Sequence, residues 1–270
     1  MTGEKIETRL HVEEDLASGA TVGLDHARAH FLRSVLRLGR GAMLVLFNGR
    51  DGEWLARLDG IGKGWASLAV ERQLRAQTTE PDLWLLFAPI KRARIDFLAE
   101  KATELGVSRL QPVFTKRTAV SRVNTERLAA NAREAAEQCE RLTLPEVLPP
   151  KDLFAAMADW PEGRRLLVCA ESGPARPIGE ALAEAAAKAA DGGSENGSVD
   201  RSIKWAIMSG PEGGLEKSEL DALIELPFVT LVGLGPRVLR ADTAALAALA
   251  CWQSVLGDGG RRPPREDRPS

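Results

Sequence analysis

The chain has 270 residues, with 36 lysines and arginines against 38 aspartates and glutamates and a formal net charge of −2. This length predicts one large or two modest domains, and the apolar fraction of 44% suits a packed core. The balanced charge gives no global signal for nucleic acid, so only local clusters of cations can indicate it. Three widely separated cysteines argue against a disulfide framework or a metal cluster. With no signal-peptide pattern or membrane-length apolar run, we expect a cytoplasmic protein without a metal site or a membrane partner.

Short strands joined by tight turns dominate the first 75 residues. Strands are predicted over 5–10, 20–24 and 42–47, and the alternation of apolar and polar residues predicts two more over 53–58 and 65–74. Residues 48–52 (Asn-Gly-Arg-Asp-Gly) supply strong hairpin turn chemistry between two of them. The pattern predicts a small β-barrel or β-rich domain over residues 1–75.

A helix is predicted over 26–36, after the capping residue Asp25, with Phe31, Val35 and Leu38 on a shared face. Two cations, Arg33 and Arg37, lie along this helix and its exit. They could contact RNA phosphates, or they could form a solvated helix face, which is the commoner meaning of a charge run.

The polar segment 75–81 ends in proline and marks a domain boundary. Beyond it, buried-type strands alternate with helices, which predicts a three-layer α/β domain with a parallel sheet over residues 80–257. Strands are predicted over 83–88, 110–114, 165–170, 203–208 and 228–232, and helices over 95–105, 125–142, 153–160, 178–190 and 242–256. Composition predicts a flexible insertion over 191–200 and a disordered tail over 258–270.

Two glycine-rich loops follow the last two predicted strands, at 209–214 and 233–239, and each leads into a helix. Loops at the carboxyl ends of parallel strands are where open α/β sheets bind ligands, and glycine lets main chain approach a ligand closely. Alternatively, both are ordinary strand-to-helix turns stiffened by Pro211 and Pro236. Two such loops one helix apart favour a ligand site.

Further cations collect where strands of this domain end: Lys91, Arg92 and Arg94 after one strand, Lys116 and Arg117 after the next. At loops they would suit RNA phosphates, whereas the alternative is surface charge that balances neighbouring carboxylates.

On the predicted helix 125–142, Glu134, Gln138 and Arg141 are spaced four and three residues apart and so share a face. They could form a structural ion network. They could instead line a pocket for a base, with Gln138 reading its edge through hydrogen bonds.

The motifs Gly210-Pro-Glu-Gly-Gly, Leu234-Gly-Pro-Arg-Val-Leu-Arg and Thr243-Ala-Ala resemble the C-terminal signature of the knotted SPOUT methyltransferases. Within that class the sequence is most similar to the family of ribosomal RNA small-subunit methyltransferase E. The likeness extends in the family's order through 30–41, 101–107, 112–118 and 134–141, nearly the whole chain. The sequence departs from the family pattern at four positions. Ala42 stands where Asp is usual, and Asp242 where Glu is usual. Ser209 stands at a generally apolar position, and Leu215 at a usually aromatic one.

The resemblance implies an α/β (α+β overall) protein with a PUA-like RNA-binding β-barrel, a SPOUT domain and a C-terminal trefoil knot. It implies a homodimer, with sites at the subunit interface, that transfers a methyl group from S-adenosylmethionine to N3 of a uridine in 16S ribosomal RNA of the small subunit. Arg240 would stabilise the uridine anion and Glu134 would act as base. The implied cofactor-binding residues are Ser209, Gly210, Pro211, Glu212, Gly213, Gly214, Leu231, Gly233, Leu234, Gly235, Arg237, Val238, Leu239, Thr243 and Ala244.

Other functions are open at this point. The chain could be a non-catalytic RNA-binding or ribosome-assembly protein, or a SPOUT methyltransferase that acts at another RNA position. A Rossmann-type nucleotide enzyme is set aside, because Ala88-Pro-Ile-Lys-Arg follows the first strand of the second domain instead of Gly-x-Gly-x-x-Gly.

Overall fold

The computed structural model describes residues 5–191 and 204–262. The described chain divides into two units, the first running to Thr79 and including Ala136–Leu144, the second comprising Glu80–Ala135 and the described part of Pro145–Arg262. Most of the insertion predicted over 191–200, and the predicted tail from residue 263 onward, lie outside the described residues.

A five-stranded sheet forms the first unit, in the order β1-β3-β4-β5-β2. Strands β1 and β3 are parallel and the other neighbours are antiparallel. Its elements are β1 (Ile6–His11), β2 (Thr21–Leu24), α1 (His26–His30), β3 (Met43–Phe47), β4 (Glu53–Ile61) and β5 (Ala66–Arg75). In β5 the alternate residues Ala66, Leu68 and Val70 are buried, as the period of two requires, whereas β3 is buried continuously from Leu44 to Phe47.

Helix α1 begins at the predicted cap, since Asp25 accepts a hydrogen bond from the N–H of Arg28. It then continues as a π-helix over Phe31–Val35. A π-turn holds more residues per turn than an α-helix and so rotates the later side chains about the axis. Leu32 is buried, whereas Phe31 and Val35 are 39% and 59% exposed. The apolar face predicted from the α-helical period is therefore not the buried face.

An all-parallel sheet forms the second unit, in the order β11-β13-β10-β12-β6-β7-β8, and β9 pairs with β7. Its strands are β6 (Leu83–Phe87), β7 (Arg109–Phe114), β8 (Glu146–Val147), β9 (Lys151–Asp152), β10 (Arg164–Cys169), β11 (Arg176–Pro177), β12 (Lys204–Ser209) and β13 (Val229–Gly233). Its helices are α2 (Arg92–Glu104), α3 (Thr125–Cys139, of which residues 136–139 belong to the first unit), α4 (Leu153–Ala158), α5 (Ile178–Asp191), α6 (Lys217–Ile224) and α7 (Ala241–Val255). The predicted α/β architecture with a parallel sheet is confirmed.

Two apolar clusters cover the two faces of this sheet. Leu85 packs with residues of α2, α5 and α7, whereas its neighbour Leu86 packs with residues of α4 and α6. Strands buried on both faces carry continuous apolar runs, which is why the sequence predicted them. The order of the parallel strands in the sheet places the carboxyl ends of β13, β10 and β12 side by side.

A buried charge network lies in the first unit. The carboxylate of Glu53 accepts hydrogen bonds from Arg9 Nε (2.8 Å) and from Arg75 Nε (2.7 Å). Both guanidinium groups also donate to main-chain carbonyls where α3 ends: Arg9 to Ala136 and Arg141, and Arg75 to Glu140. The two arginines thus bind the main chain at the end of α3 and just beyond it.

Candidate functional site

A cavity of about 510 Å³ lies at the carboxyl ends of β10, β12 and β13. Three loops surround it, here called loop A (169–175, after β10), loop B (209–215, after β12) and loop C (232–239, after β13). Ala241 and Ala244 at the start of α7 also line it, as does Arg117. Sites for small ligands typically measure about 300–1,000 Å³, so this cavity can hold one.

Most of the predicted ligand-binding residues line this cavity. They are Ser209, Gly210, Pro211, Gly213, Gly214, Gly233, Leu234, Gly235, Arg237, Val238, Leu239 and Ala244. Three predicted residues lie elsewhere: Leu231 is buried in the core, and Glu212 and Thr243 are exposed outside the lining. The two predicted loops therefore do meet in space.

Loop C leaves main-chain donors open. Gly235 adopts a φ of 98°, which other residues rarely do, and nothing lies within 4 Å of the position where a Cβ would stand. Within the described part of the chain, the N–H groups of Gly235, Arg237, Val238 and Leu239 have no hydrogen-bond partner. Val238 is 80% exposed, although it is apolar. Such a loop offers peptide groups and apolar surface to a ligand.

Loop B, in contrast, is held by the fold. The Ser209 hydroxyl donates to the carbonyl of Ala241 (2.8 Å), which ties β12 to the start of α7. The N–H of Gly214 donates to Pro211 O (2.9 Å). Ser209 departs from the family pattern, and this buried hydrogen bond gives its hydroxyl a structural role.

The turn after β7 fastens loop B from the other side. Glu219, only 1% exposed, accepts hydrogen bonds from the N–H groups of Lys116 and Glu216 (both 2.8 Å). The ammonium of Lys116 pairs with Glu216 (3.0 Å). Arg117 donates from one terminal nitrogen to the carbonyl of Gly213 (3.0 Å). Of these two cations predicted to bind RNA, Lys116 thus holds the start of α6 and Arg117 holds loop B.

Other predicted RNA contacts are spread over both units. Arg33, Arg37 and Lys91 are exposed, and the side chain of Arg92 lies outside the described residues. Arg94 pairs with Asp242 (3.6 Å), and this pair links the first turns of α2 and α7. Asp242 is the residue that replaces the Glu usual in the family.

The trio predicted on helix 125–142 does not share one face. Helix α3 ends at Cys139, because Glu140 adopts a φ of 64° and turns the chain. Glu134 and Gln138 are exposed on the helix. Arg141 lies beyond the helix end, is 8% exposed and donates to the Thr143 hydroxyl (3.0 Å). None of the three lines the cavity.

Arg240 is the N-cap residue of α7 and is exposed. Its chain neighbours Leu239 and Ala241 line the cavity, but Arg240 does not. Its side chain makes no hydrogen bond or ion pair within the described residues. A free guanidinium beside the cavity can meet a second reactant that arrives from outside.

Loop A is the part of the site that the sequence interpretation missed. It has the same signature as the other two, since a buried strand is followed by glycine and proline in Glu171-Ser-Gly-Pro. Cys169 begins this loop, and burial, followed by the nearby Cys251, raises the pKa of its thiol to about 12. The thiol therefore stays protonated at neutral pH and is no nucleophile.

No group of three or more His, Cys, Asp or Glu side chains suited to a metal ion occurs among the described residues. Within residues 5–191 and 204–262, no helix has both the length and the apolar character needed to cross a membrane.

Comparisons with known proteins cover both units. Residues 78–253 match the model of an RNA methyltransferase domain, and residues 24–70 match that of an RNA methyltransferase PUA domain. The chain is 31% identical over 244 residues to ribosomal RNA small subunit methyltransferase E of Rickettsia conorii, which covers 90% of this chain and 93% of that protein. It is 32% identical over 252 residues to the protein of the same name from Synechocystis, with 92% and 78% covered.

Among solved structures, the chain is similar to ribosomal RNA small subunit methyltransferase E from Neisseria gonorrhoeae bound to S-adenosyl methionine. The TM-score is 0.78 and the identity 28%, and the alignment covers 93% of this chain and 99% of the other.

Proposed function

We propose a methyl-transfer reaction for this chain, which belongs to the family of RNA methyltransferases that combine a methyltransferase domain with a PUA domain. The chain is an S-adenosylmethionine-dependent methyltransferase of 16S ribosomal RNA, as its family and its relatives indicate. The finer proposal is that it methylates N3 of one uridine, as a homodimer in the cytoplasm, and that its C-terminal region carries the trefoil knot. The cavity at loops B and C, with its unpaired peptide groups, is the observation that carries the assignment.

The cavity suits S-adenosylmethionine in size and chemistry. Apolar Leu234, Val238 and Leu239 offer surface for an adenine ring. The unpaired N–H groups of loop C can donate hydrogen bonds to the adenine nitrogens and the ribose hydroxyls. Unpaired peptide donors need such partners once a ligand excludes water. Charged side chains of both signs line the wall and suit the zwitterionic methionyl part.

Bound there, S-adenosylmethionine supplies an electrophilic methyl group on a sulfonium. Its displacement is in-line, so loops B and C contribute mainly by positioning and by excluding water. N3 of uridine carries a proton and is a poor nucleophile until that proton leaves. We propose that Arg240 stabilises the uridine anion at O2 or O4, because it flanks the cavity with an unpaired guanidinium.

We propose Glu134 as the base that removes the uridine proton. We propose as RNA contacts four residues: Arg33, Arg37, Lys91 and Gln138. Glu134 and Gln138 are exposed and do not line the cavity of their own chain. The proposed homodimer would place a second chain at the site, and we propose this assembly as the one that completes it.

A non-catalytic RNA-binding protein is the alternative function. It would retain the proposed RNA contacts without needing the methyl donor. Isothermal titration calorimetry with S-adenosylmethionine separates the two, because a catalyst must bind the donor. Absence of binding under conditions where the protein is folded would favour the alternative.

The reaction itself is tested by mass mapping of 16S ribosomal RNA. We expect RNA from cells that lack this protein to miss one methyl group on a uridine. The purified protein and S-adenosylmethionine should restore it in vitro, on naked RNA or on assembled small subunits. An unchanged methylation map would contradict the assigned substrate, and a missing methyl group on another base would contradict only the uridine assignment.

Replacing Gly235 by Val should weaken binding of S-adenosylmethionine by about tenfold or more. The φ of 98° disfavours any side chain, and a branched one would occupy space that the ligand needs. Gly163→Val is the matched control, since Gly163 also has a positive φ (75°) and open space but does not line the cavity. Both variants should lose about 1–2 kcal/mol of stability. Equal donor affinity in both would remove loop C from the binding site.

A further inference from the structure

Among the described residues that line the cavity, those with charged side chains are Arg117, Glu171 and Arg237. S-adenosylmethionine carries one group that calls for a cation, the carboxylate of its methionyl part. Arg117 and Arg237 are therefore the candidates for that contact, and their settings in the fold differ.

Arg117 is held in place before any ligand arrives. One terminal nitrogen donates to the carbonyl of Gly213 (3.0 Å). The aliphatic part of the side chain packs over the same glycine, with Cβ and Cδ at 3.6 and 3.7 Å from the position that a Cβ on Gly213 would take. Arg117 is exposed, but both sides of its contact with Gly213 are tied to the fold: Ser209 ties loop B to α7, and the N–H of Lys116 donates to Glu219 of α6.

Arg117 also lacks a counter-charge. A guanidinium has five N–H donors, and within the described chain the contact with Gly213 is the one hydrogen bond of this side chain, with no carboxylate in ion-pair distance. The adjacent Lys116, in contrast, is neutralised by Glu216. Arg237 lies on loop C, where its side chain makes no hydrogen bond that would orient it within the described residues.

We infer that Arg117 binds the carboxylate of the methyl donor, rather than the RNA phosphate that its position in the sequence suggested. The inference rests on the proposed function, because it presupposes S-adenosylmethionine in this cavity. Paired donors of a guanidinium match the two oxygens of a carboxylate, and a pre-oriented side chain loses little entropy on binding. Arg117 would thereby select a donor that carries an intact amino-acid group.

The test is a ligand and variant cycle measured by isothermal titration calorimetry. The ligands are S-adenosylmethionine and its decarboxylated form, which keeps the adenosine, the sulfonium and the ammonium. The proteins are the wild type, Arg117→Gln and the control Arg122→Gln, an exposed arginine outside the cavity lining. We expect Arg117→Gln to weaken S-adenosylmethionine binding about 10- to 100-fold, the value of one hydrogen-bonded ion contact. Binding of the decarboxylated ligand should be unchanged, and Arg122→Gln should match the wild type with both.

Equal weakening of both ligands by Arg117→Gln would overturn the inference, because it would mean that Arg117 acts only through loop B. Unchanged binding of both, with weaker binding of an RNA fragment of the small subunit, would also overturn it and return Arg117 to RNA. Failure of the wild type to bind S-adenosylmethionine at all would instead refute the proposed function. The two failures are therefore distinguishable in one set of titrations.

Discussion

Arg240→Ala should lower kcat about 10²- to 10³-fold, the usual loss when one group that stabilises a developing anion is removed. Binding of S-adenosylmethionine should be nearly unchanged, because Arg240 is not part of the cavity lining. The fold should be unaffected, because the side chain caps no helix group and is exposed. Single-turnover methylation of hypomethylated small subunits measures the chemical step, and calorimetry measures donor binding on the same preparation.

Two variants sharpen this test. Arg240→Lys retains the charge without the planar fork, so it should recover part of the lost rate if charge matters and little if bidentate geometry does. Arg261→Ala removes another exposed arginine just beyond α7 and should retain the wild-type rate. Wild-type turnover in Arg240→Ala would exclude Arg240 from the chemistry and leave the uridine anion without an identified stabiliser.

Much of the second unit is predictable because its physics is local. Continuous apolar runs such as 83–87 indicate strands buried on both faces, and Gly106, with a φ of 77°, stands where glycine commonly ends a helix, just past α2. Strand order is different, because it depends on pairings between distant segments. β10 lies between β12 and β13 in the sheet, and no residue pattern specifies this neighbourhood. Loop A was missed as a third wall of the cavity for that reason.

Charged residues in the strands of the first unit show another limit of sequence patterns. Alternation assigns polar residues to the solvent face, yet Arg9 is 8% exposed and Glu53 is fully buried. Arg9 and Arg75 lie 44 and 22 residues from Glu53 along the chain. The main-chain carbonyls to which the arginines also donate belong to residues 136–141. A buried ion pair has no periodic signature, so only the folded chain reveals it.

Glu53→Gln should destabilise the first unit by about 3–5 kcal/mol, because it leaves the buried Arg9 and the partly buried Arg75 without their counter-charge. Glu71→Gln is the matched control on the same sheet. Glu71 pairs with Arg57 at 2.9 Å, but both side chains are about one-third or more exposed, so its loss should cost about 1 kcal/mol or less. Hydrogen exchange of the β1, β4 and β5 amides measures the opening free energy within the first unit itself. Equal protection in both variants would show that the buried carboxylate adds nothing beyond a surface pair.

Acid should reveal the same carboxylate through the wild type. Burial raises the pKa of Glu53, but hydrogen bonds and charge from Arg75 and then Arg9 outweigh burial and hold it below its usual range. A carboxyl whose folded pKa is lowered stabilises the fold fully above its unfolded pKa of about 4.3. That stability is lost as the pH falls through the folded value, where the folded carboxylate finally takes up its proton. The gap in amide protection between wild type and Glu53→Gln should therefore be widest at neutral pH and should narrow below about pH 4. A gap that does not change with pH would mean that ionisation of Glu53 does not stabilise the first unit.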